Sequence, residues 1–245
     1  MHPVSQYLQR TFWSLYGRFV WDAQRAPWKA LQTQRIVETL NGRRAIPRER
    51  VLDAGCGTGD YALALAKAGF QVTGVDYAAG MLSCAQVKAS EELVEDISFQ
   101  QMDLNAQLGF PDTHFDHIIN ISVLQVTAHP VFTLGELWRV LKPGGTLVLL
   151  HIPKPESHNL PLRETIKYRV GNLEARSLRK MALIAAKAWA ERMGNTRYWT
   201  AGELQQMLKG CHFDVLSVDL GPPIAIVAER PMAVHNADLG VFYSN

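Results

Sequence analysis

Val51-Leu52-Asp53-Ala54-Gly55-Cys56-Gly57-Thr58-Gly59 decides how the chain is read. A short apolar run carries a carboxylate and then passes into glycines at alternate positions. Glycine at such spacing lets the backbone turn tightly and approach a ligand with no Cβ in the way. The spacing is G-x-G-x-G rather than the G-x-G-x-x-G of dinucleotide-binding turns. Gly55 and Gly57 match that pattern, but Asp60 stands at its last position. A carboxylate there would face a pyrophosphate at the start of the next helix, so a ligand without phosphates is expected. No Gly-Lys-Ser/Thr follows, which excludes a P-loop.

The segments around this turn alternate strand and helix. Strands are expected at Arg50–Asp53, Phe70–Val75, Ile97–Met102, His117–Ile121 and Thr146–Leu150. Helices are expected at Tyr61–Lys67, Ala79–Glu92 and Val131–Leu141, the last stopped by Pro143-Gly144-Gly145. Such alternation implies a parallel sheet with right-handed crossovers. Residues 156–193 break the pattern. They show no strand, and Leu178, Met181, Ala182, Ala185, Ala188 and Trp189 fall at helical spacing. Thr200 and Glu203 form a capping box opening a helix to Leu208. Val215–Val218 and Ile224–Ala228, joined through Gly221-Pro222-Pro223, should pair antiparallel. Before the sheet, residues 5–41 read as aromatic-rich helices divided at Pro27 and ending at Asn41-Gly42.

The expected fold is therefore α/β, a Rossmann-like, seven-stranded, mostly parallel sheet with an antiparallel C-terminal hairpin and helices on both faces. One domain should cover residues 1–231. Residues 1–48 would form a helical N-terminal cap, 154–197 a helical lid insertion after the fifth strand, and 232–245 a flexible tail.

Composition fits an ordinary globular protein: 245 residues, 47% hydrophobic and 20% charged. Cys56, Cys84 and Cys211 are scattered with no C-x-x-C pair. That argues against a disulfide framework or zinc site and fits a reducing compartment. The N-terminus lacks the apolar core of a signal peptide, and no stretch approaches 18 uncharged apolar residues. A soluble, cytoplasmic protein is expected. The net charge of +2 conceals an uneven spread. Residues 1–50 carry +6, 51–153 carry −7, 154–197 carry +6 and 198–245 carry −3. Two basic segments thus flank an acidic middle.

The run VLDAGCGTGDYALALAKAGFQVTGVDYAAGML (residues 51–82) resembles the class I S-adenosylmethionine (SAM)-dependent methyltransferases. The resemblance covers residues 51–150 closely and 200–230 more loosely. It implies SAM as methyl donor, S-adenosylhomocysteine as product, and no metal. It places Asp53 at the opening of the glycine motif, and Gly55, Cys56, Gly57 and Gly59 beneath the methionine part of SAM. Asp76 corresponds to the acid that grips both ribose hydroxyls, as one carboxylate can accept from a vicinal diol. Tyr77 and Met81 correspond to residues flanking sugar and adenine. Asp103, within Gln101-Met102-Asp103-Leu104, corresponds to the acid receiving the adenine amino group, with Leu104 beside it. Phe115–Asn120 matches the fourth strand and brings Asn120 to the cofactor site.

On the acceptor side the residues leave alternatives open. Tyr16 is either part of a cap over the cleft or core packing. Gln125 either touches the substrate or faces solvent. His151, directly after the fifth strand, is either a base for an acceptor hydroxyl or amine or a loop histidine. The expected function is in-line methyl transfer from SAM to an O, N or C nucleophile of a small molecule. The charge pattern suggests an acceptor that is anionic, or presented at an anionic membrane surface, with an apolar or aromatic body. No dedicated nucleic-acid module or transmembrane segment is expected. RNA or protein methylation, or SAM binding without catalysis, are the alternatives.

Overall fold

A computed structural model of the protein describes residues 11–14, 27–151, 196–220 and 223–232. The helical turn at 11–14 is followed by α1 (Pro27–Asn41), β1 (Arg50–Ala54), α2 (Asp60–Lys67), β2 (Gln71–Asp76), α3 (Ala79–Glu91) and β3 (Ile97–Gln101). Then come β4 (Phe115–Ile121), a 3-10 turn (Leu124–Val126), α4 (Pro130–Val140) and β5 (Leu141–His151). The chain closes with α5 (Ala201–Gly210), β6 (Asp214–Asp219) and β7 (Ile224–Glu229). The seven strands form one sheet in the order β3-β2-β1-β4-β5-β7-β6. Pairs from β3 to β5 are parallel, and β7 runs antiparallel to both β5 and β6. Tyr16 and the expected 178–193 helix lie outside the described residues.

Alternation along the central strands divides the core into two layers. Leu52, Ile118, Leu147 and Leu149 face Leu134, Leu137 and Trp138 of α4 and Leu204 and Leu208 of α5. Val51, Ile119, Val148 and Leu150 face Ile36 and Leu40 of α1 and Ala62, Leu65 and Ala66 of α2. A strand buried on both faces has no polar alternation, which is why β5 reads as a continuous apolar run.

Two strands begin earlier than expected. α4 ends at Val140, and Leu141 already pairs with Phe115 before the register resumes at His117↔Thr146. The intervening Pro143-Gly144-Gly145 is a bulge within β5 rather than a break before it. Gly144, at φ +76°, lets the chain turn there. Its N–H donates to the Arg230 carbonyl at 2.7 Å. The Arg230 guanidinium donates to the carbonyls of Trp138, Arg139 and Leu141 and stacks 3.6 Å from the Trp138 ring. A cation at these last carbonyls also suits the negative end of the α4 dipole. At α5 both halves of the Thr200/Glu203 capping box are present.

The strand order reverses between β1 and β4, since β2 and β3 lie to one side and β5 to the other. In an open α/β sheet a crevice forms at the carboxyl ends of strands at this switch point. No helix among the described residues is long and apolar enough to cross a membrane.

Candidate cofactor site

The glycine turn leaves β1 at this switch point. Gly55, Gly57 and Gly59 all hold positive φ (+89°, +54° and +78°), a region that penalises a Cβ. The three differ in what a side chain would meet. At Gly55 it would strike Val123, and at Gly59 it would press on Ala85 and Phe99. At Gly57 no atom of the described residues lies within 4 Å. Gly55 and Gly59 therefore let protein segments pack together, whereas a side chain at Gly57 would meet none of the described residues.

Two carboxylates border the turn. Asp53 is 1% exposed, and its Oδ2 has no hydrogen-bond partner among the described residues. Burial first, then the charges of Asp76 and Asp60, push its carboxyl up to about 8, against a partial offset from Lys29. An acid in that state takes up a cation readily, because a positive ligand supplies what the protein withholds. Asp76 ends β2. Its Oδ2 accepts from Gly57 N at 3.0 Å, and its Oδ1 accepts from Ala78 N at 2.9 Å. The Tyr77 N–H also bonds this carboxylate, so backbone donors orient it while it keeps capacity to accept from a ligand hydroxyl. Burial raises its carboxyl while these N–H groups lower it.

The other expected cofactor residues are dispersed around this pair. Cys56 is buried, and burial with the nearby Asp53 and Asp76 holds its thiol well above the usual range, so it is no nucleophile at neutral pH. Met81 is buried at the start of α3, and Tyr77 is half-buried beside Asp76. Asp103 is exposed. Its Oδ1 accepts from both the backbone N and side-chain Nδ2 of Asn105 at 2.9 and 2.8 Å, which fixes the carboxylate's direction. Leu104 is a core residue whose carbonyl accepts from Thr133 Oγ1. The Asn120 side chain is fully buried between Ala54 O and Leu124 N, joining the end of β1 to the loop after β4.

His151, at the end of β5, is 2% exposed, and its Nε2 accepts from Trp199 N at 3.1 Å. Burial depresses the imidazole to about 4, so the ring is neutral with its proton on Nδ1. The one basic lone pair of that neutral ring is already engaged by a backbone N–H. This bond ties the end of β5 to the segment entering α5. Gln125 lies in the 3-10 turn after β4 and is 8% exposed, not solvent-facing.

Several site residues escaped sequence reasoning. Asp60, at the first turn of α2, is ion-paired with both Lys29 and Lys88, and Lys88 also donates to Thr58 Oγ1 at 3.1 Å. Tyr61 donates to Gln32. These contacts fasten α1 to the helix that follows the glycine turn. Asp60 was visible as the residue replacing the third glycine. Lys88 was visible as a cation among Ala85 and Ala89 on the buried face of α3. Lys29 carried no local signal. On the other side of the turn, Ser14 Oγ accepts from Gly80 N at 3.4 Å, where a Cβ would collide with the Ser14 backbone. The segment before α1 therefore reaches the start of α3, beside Asp76.

A Rossmann-like sheet with a glycine turn bordered by two acids suits a nucleoside ligand. Residues 52–149 match the methyltransferase domain family. The chain is 32% identical over 185 residues to the methyltransferase-family protein YqeM of Bacillus subtilis, covering 68% of this chain and 74% of that one. It is 42% identical over 109 residues to the demethylmenaquinone methyltransferase of Thermus thermophilus, covering 44% of this chain and 49% of that enzyme. This chain thus spans three quarters of YqeM but about half of the Thermus enzyme. A SAM-dependent methyltransferase from Aquifex aeolicus shares the fold, with TM-score 0.57 and 19% identity over 79% of this chain and 88% of that one. The chain belongs to the class I SAM-dependent methyltransferases.

Proposed function

We propose that the protein methylates a small molecule with an apolar or aromatic body, using SAM held by the Asp53–Gly57–Asp76 turn. One observation supports the cofactor placement: the glycine turn leads from Asp53, with a buried carboxylate oxygen that has no partner among the described residues, to Asp76, whose carboxylate accepts from Gly57 N. When bound, SAM supplies a methyl group on positively charged sulfur, which a nucleophile displaces in line to leave a neutral thioether. Asp53 and its neighbours make the turn attractive to that cation. Asp76 would take the two ribose hydroxyls, with Tyr77 and Met81 beside sugar and base and Asp103 toward the adenine amino group. The remaining task is orientation and exclusion of water, for which a fixed backbone cradle suffices.

The acceptor is assigned to a reduced quinone or related hydroxyarene. The Thermus relative is named for demethylmenaquinone, a quinone with an apolar tail. The basic segments 1–50 and 154–197 suit an acceptor that is anionic or lies at an anionic surface. Methyl-labelled SAM incubated with the protein and fractionated cell extract tests this. Label should enter the organic-soluble small-molecule fraction. Label in RNA or protein, or SAM binding with no transfer at all, would overturn it.

A further inference from the structure

The loop after β4 holds a polar group that its neighbours do not explain. Ser122 sits at φ +60°, a costly conformation for a residue with a Cβ, and it swings the chain out of the sheet. Val123 then packs against Gly55 of the cofactor turn. Several of the polar groups that follow have partners. Leu124 N donates to Asn120 Oδ1, Val126 N to Val123 O, and Thr127 N and Oγ1 to Leu124 O. The Gln125 carbonyl accepts from Arg197 N at 2.8 Å, and the Arg197 guanidinium donates to the carbonyls of Thr127 and Ala128. Against this background Gln125 Oε1 is buried with no donor in reach among the described residues. Leaving such an acceptor unmatched is destabilising, and an apolar side chain of the same shape would avoid it.

Position says what the acceptor could be for. Asp53 and Asp76 belong to β1 and β2, on one side of the switch point, and Gln125 follows β4 on the other. Beside it runs the segment 196–199, joined to Gln125 through Arg197 N and to His151 through Trp199 N. We propose that Gln125 is a specificity-determining residue: its Oε1 receives a hydroxyl hydrogen of the methyl acceptor and so turns that hydroxyarene toward the cofactor. An amide cannot remove the proton, so its role is orientation and selection. The buried oxygen would discriminate against any analogue lacking the hydroxyl hydrogen. This rests on the methyltransferase reading above.

The test uses the full chain saturated with S-adenosylhomocysteine and a matched pair of probes, 1,4-dihydroxynaphthalene kept reduced under anaerobic conditions and 1,4-dimethoxynaphthalene. Wild type should bind the diol about tenfold or more tightly than the diether, the scale of one buried hydrogen bond. Gln125→Met, close to isosteric, should bring the two probes within about twofold while retaining S-adenosylhomocysteine affinity. It should also melt at or above the wild-type temperature, whereas a glutamine held for structural reasons would lose stability. Gln125→Glu, which keeps an acceptor, should retain the preference. Absence of a diol preference in wild type, its survival in Gln125→Met, or a lowered melting temperature in that variant overturns the proposal. Failure of wild type to bind S-adenosylhomocysteine would instead overturn the cofactor reading.

Discussion

Replacing Asp53 by asparagine changes one proton's worth of chemistry at nearly constant volume. In the ligand-free protein this carboxyl sits near 8 rather than at its ordinary 3.8, chiefly through burial and then through the charges of Asp76 and Asp60. At pH 7 such a group is roughly nine-tenths protonated. A cationic ligand favours the ionised form, so binding should expel up to about 0.9 proton at pH 7 and about half a proton at pH 8. Affinity for SAM should accordingly tighten by up to about tenfold between pH 6 and 7, then level off above pH 8. The surrounding ionisable groups are Lys29 from α1, Asp60 and Tyr61 from α2, Cys56 in the turn and Asp76 from β2. Lys29 is itself lowered by burial. Its loss of charge at high pH would raise Asp53 further and soften the upper end of the curve. The assay is calorimetric titration of SAM in two buffers of different ionisation enthalpy at pH 6.5, 7.5 and 8.5. The ligand's own amine titrates in this range for both proteins, so the difference between wild type and Asp53→Asn isolates the carboxyl. The same shift affects stability with a defined sign. The folded, ligand-free state keeps this proton while the unfolded chain loses it near 3.8. The group's contribution to stability therefore declines as pH rises from about 4 to about 8. Asp53→Asn should remove that decline and melt above wild type at pH 8, while binding SAM more weakly. Equal proton release by the two proteins, with parallel pH profiles, would refute this account of the turn.

Other substitutions separate the parts of the site. Asp76→Ala removes an acceptor already oriented by Gly57 and Ala78, and should weaken SAM by roughly 10- to 150-fold, the equivalent of about 1.5–3 kcal/mol, in a folded protein. Gly57→Val should abolish SAM binding by filling the open face at φ +54°, whereas wild-type affinity in the folded variant would put the ligand elsewhere. Thr200→Ala breaks the capping box of α5 and should cost about 1 kcal/mol in urea unfolding without altering SAM affinity.

Much of this was legible because local chemistry and fold agree. The strand–glycine–helix turn, the acid ending β2, the Thr200 capping box and the antiparallel final pair are each encoded within a few residues. Where spacing misled, longer-range contacts were responsible. Pro143-Gly144-Gly145 reads as a stop, yet Arg230 pairs with Gly144 and Gly145 and draws them into β5 as a bulge. The hydrogen bond from Trp199 N to His151 spans 48 residues and has no local sequence signal. The Lys29–Asp60–Lys88 cluster joins three helices and has no sequence spacing of its own. Gln125 shows the converse case: that its Oε1 has no partner among the described residues is visible only in the folded loop.

The central claim is that SAM lies across Gly57 between Asp53 and Asp76, and a crystal structure of the S-adenosylhomocysteine complex tests it most directly. Both ribose hydroxyls should lie within hydrogen-bond distance of the Asp76 carboxylate, with the homocysteine chain over the face of Gly57. A ligand bound away from the glycine turn, or a ribose whose hydroxyls do not reach Asp76, would contradict it.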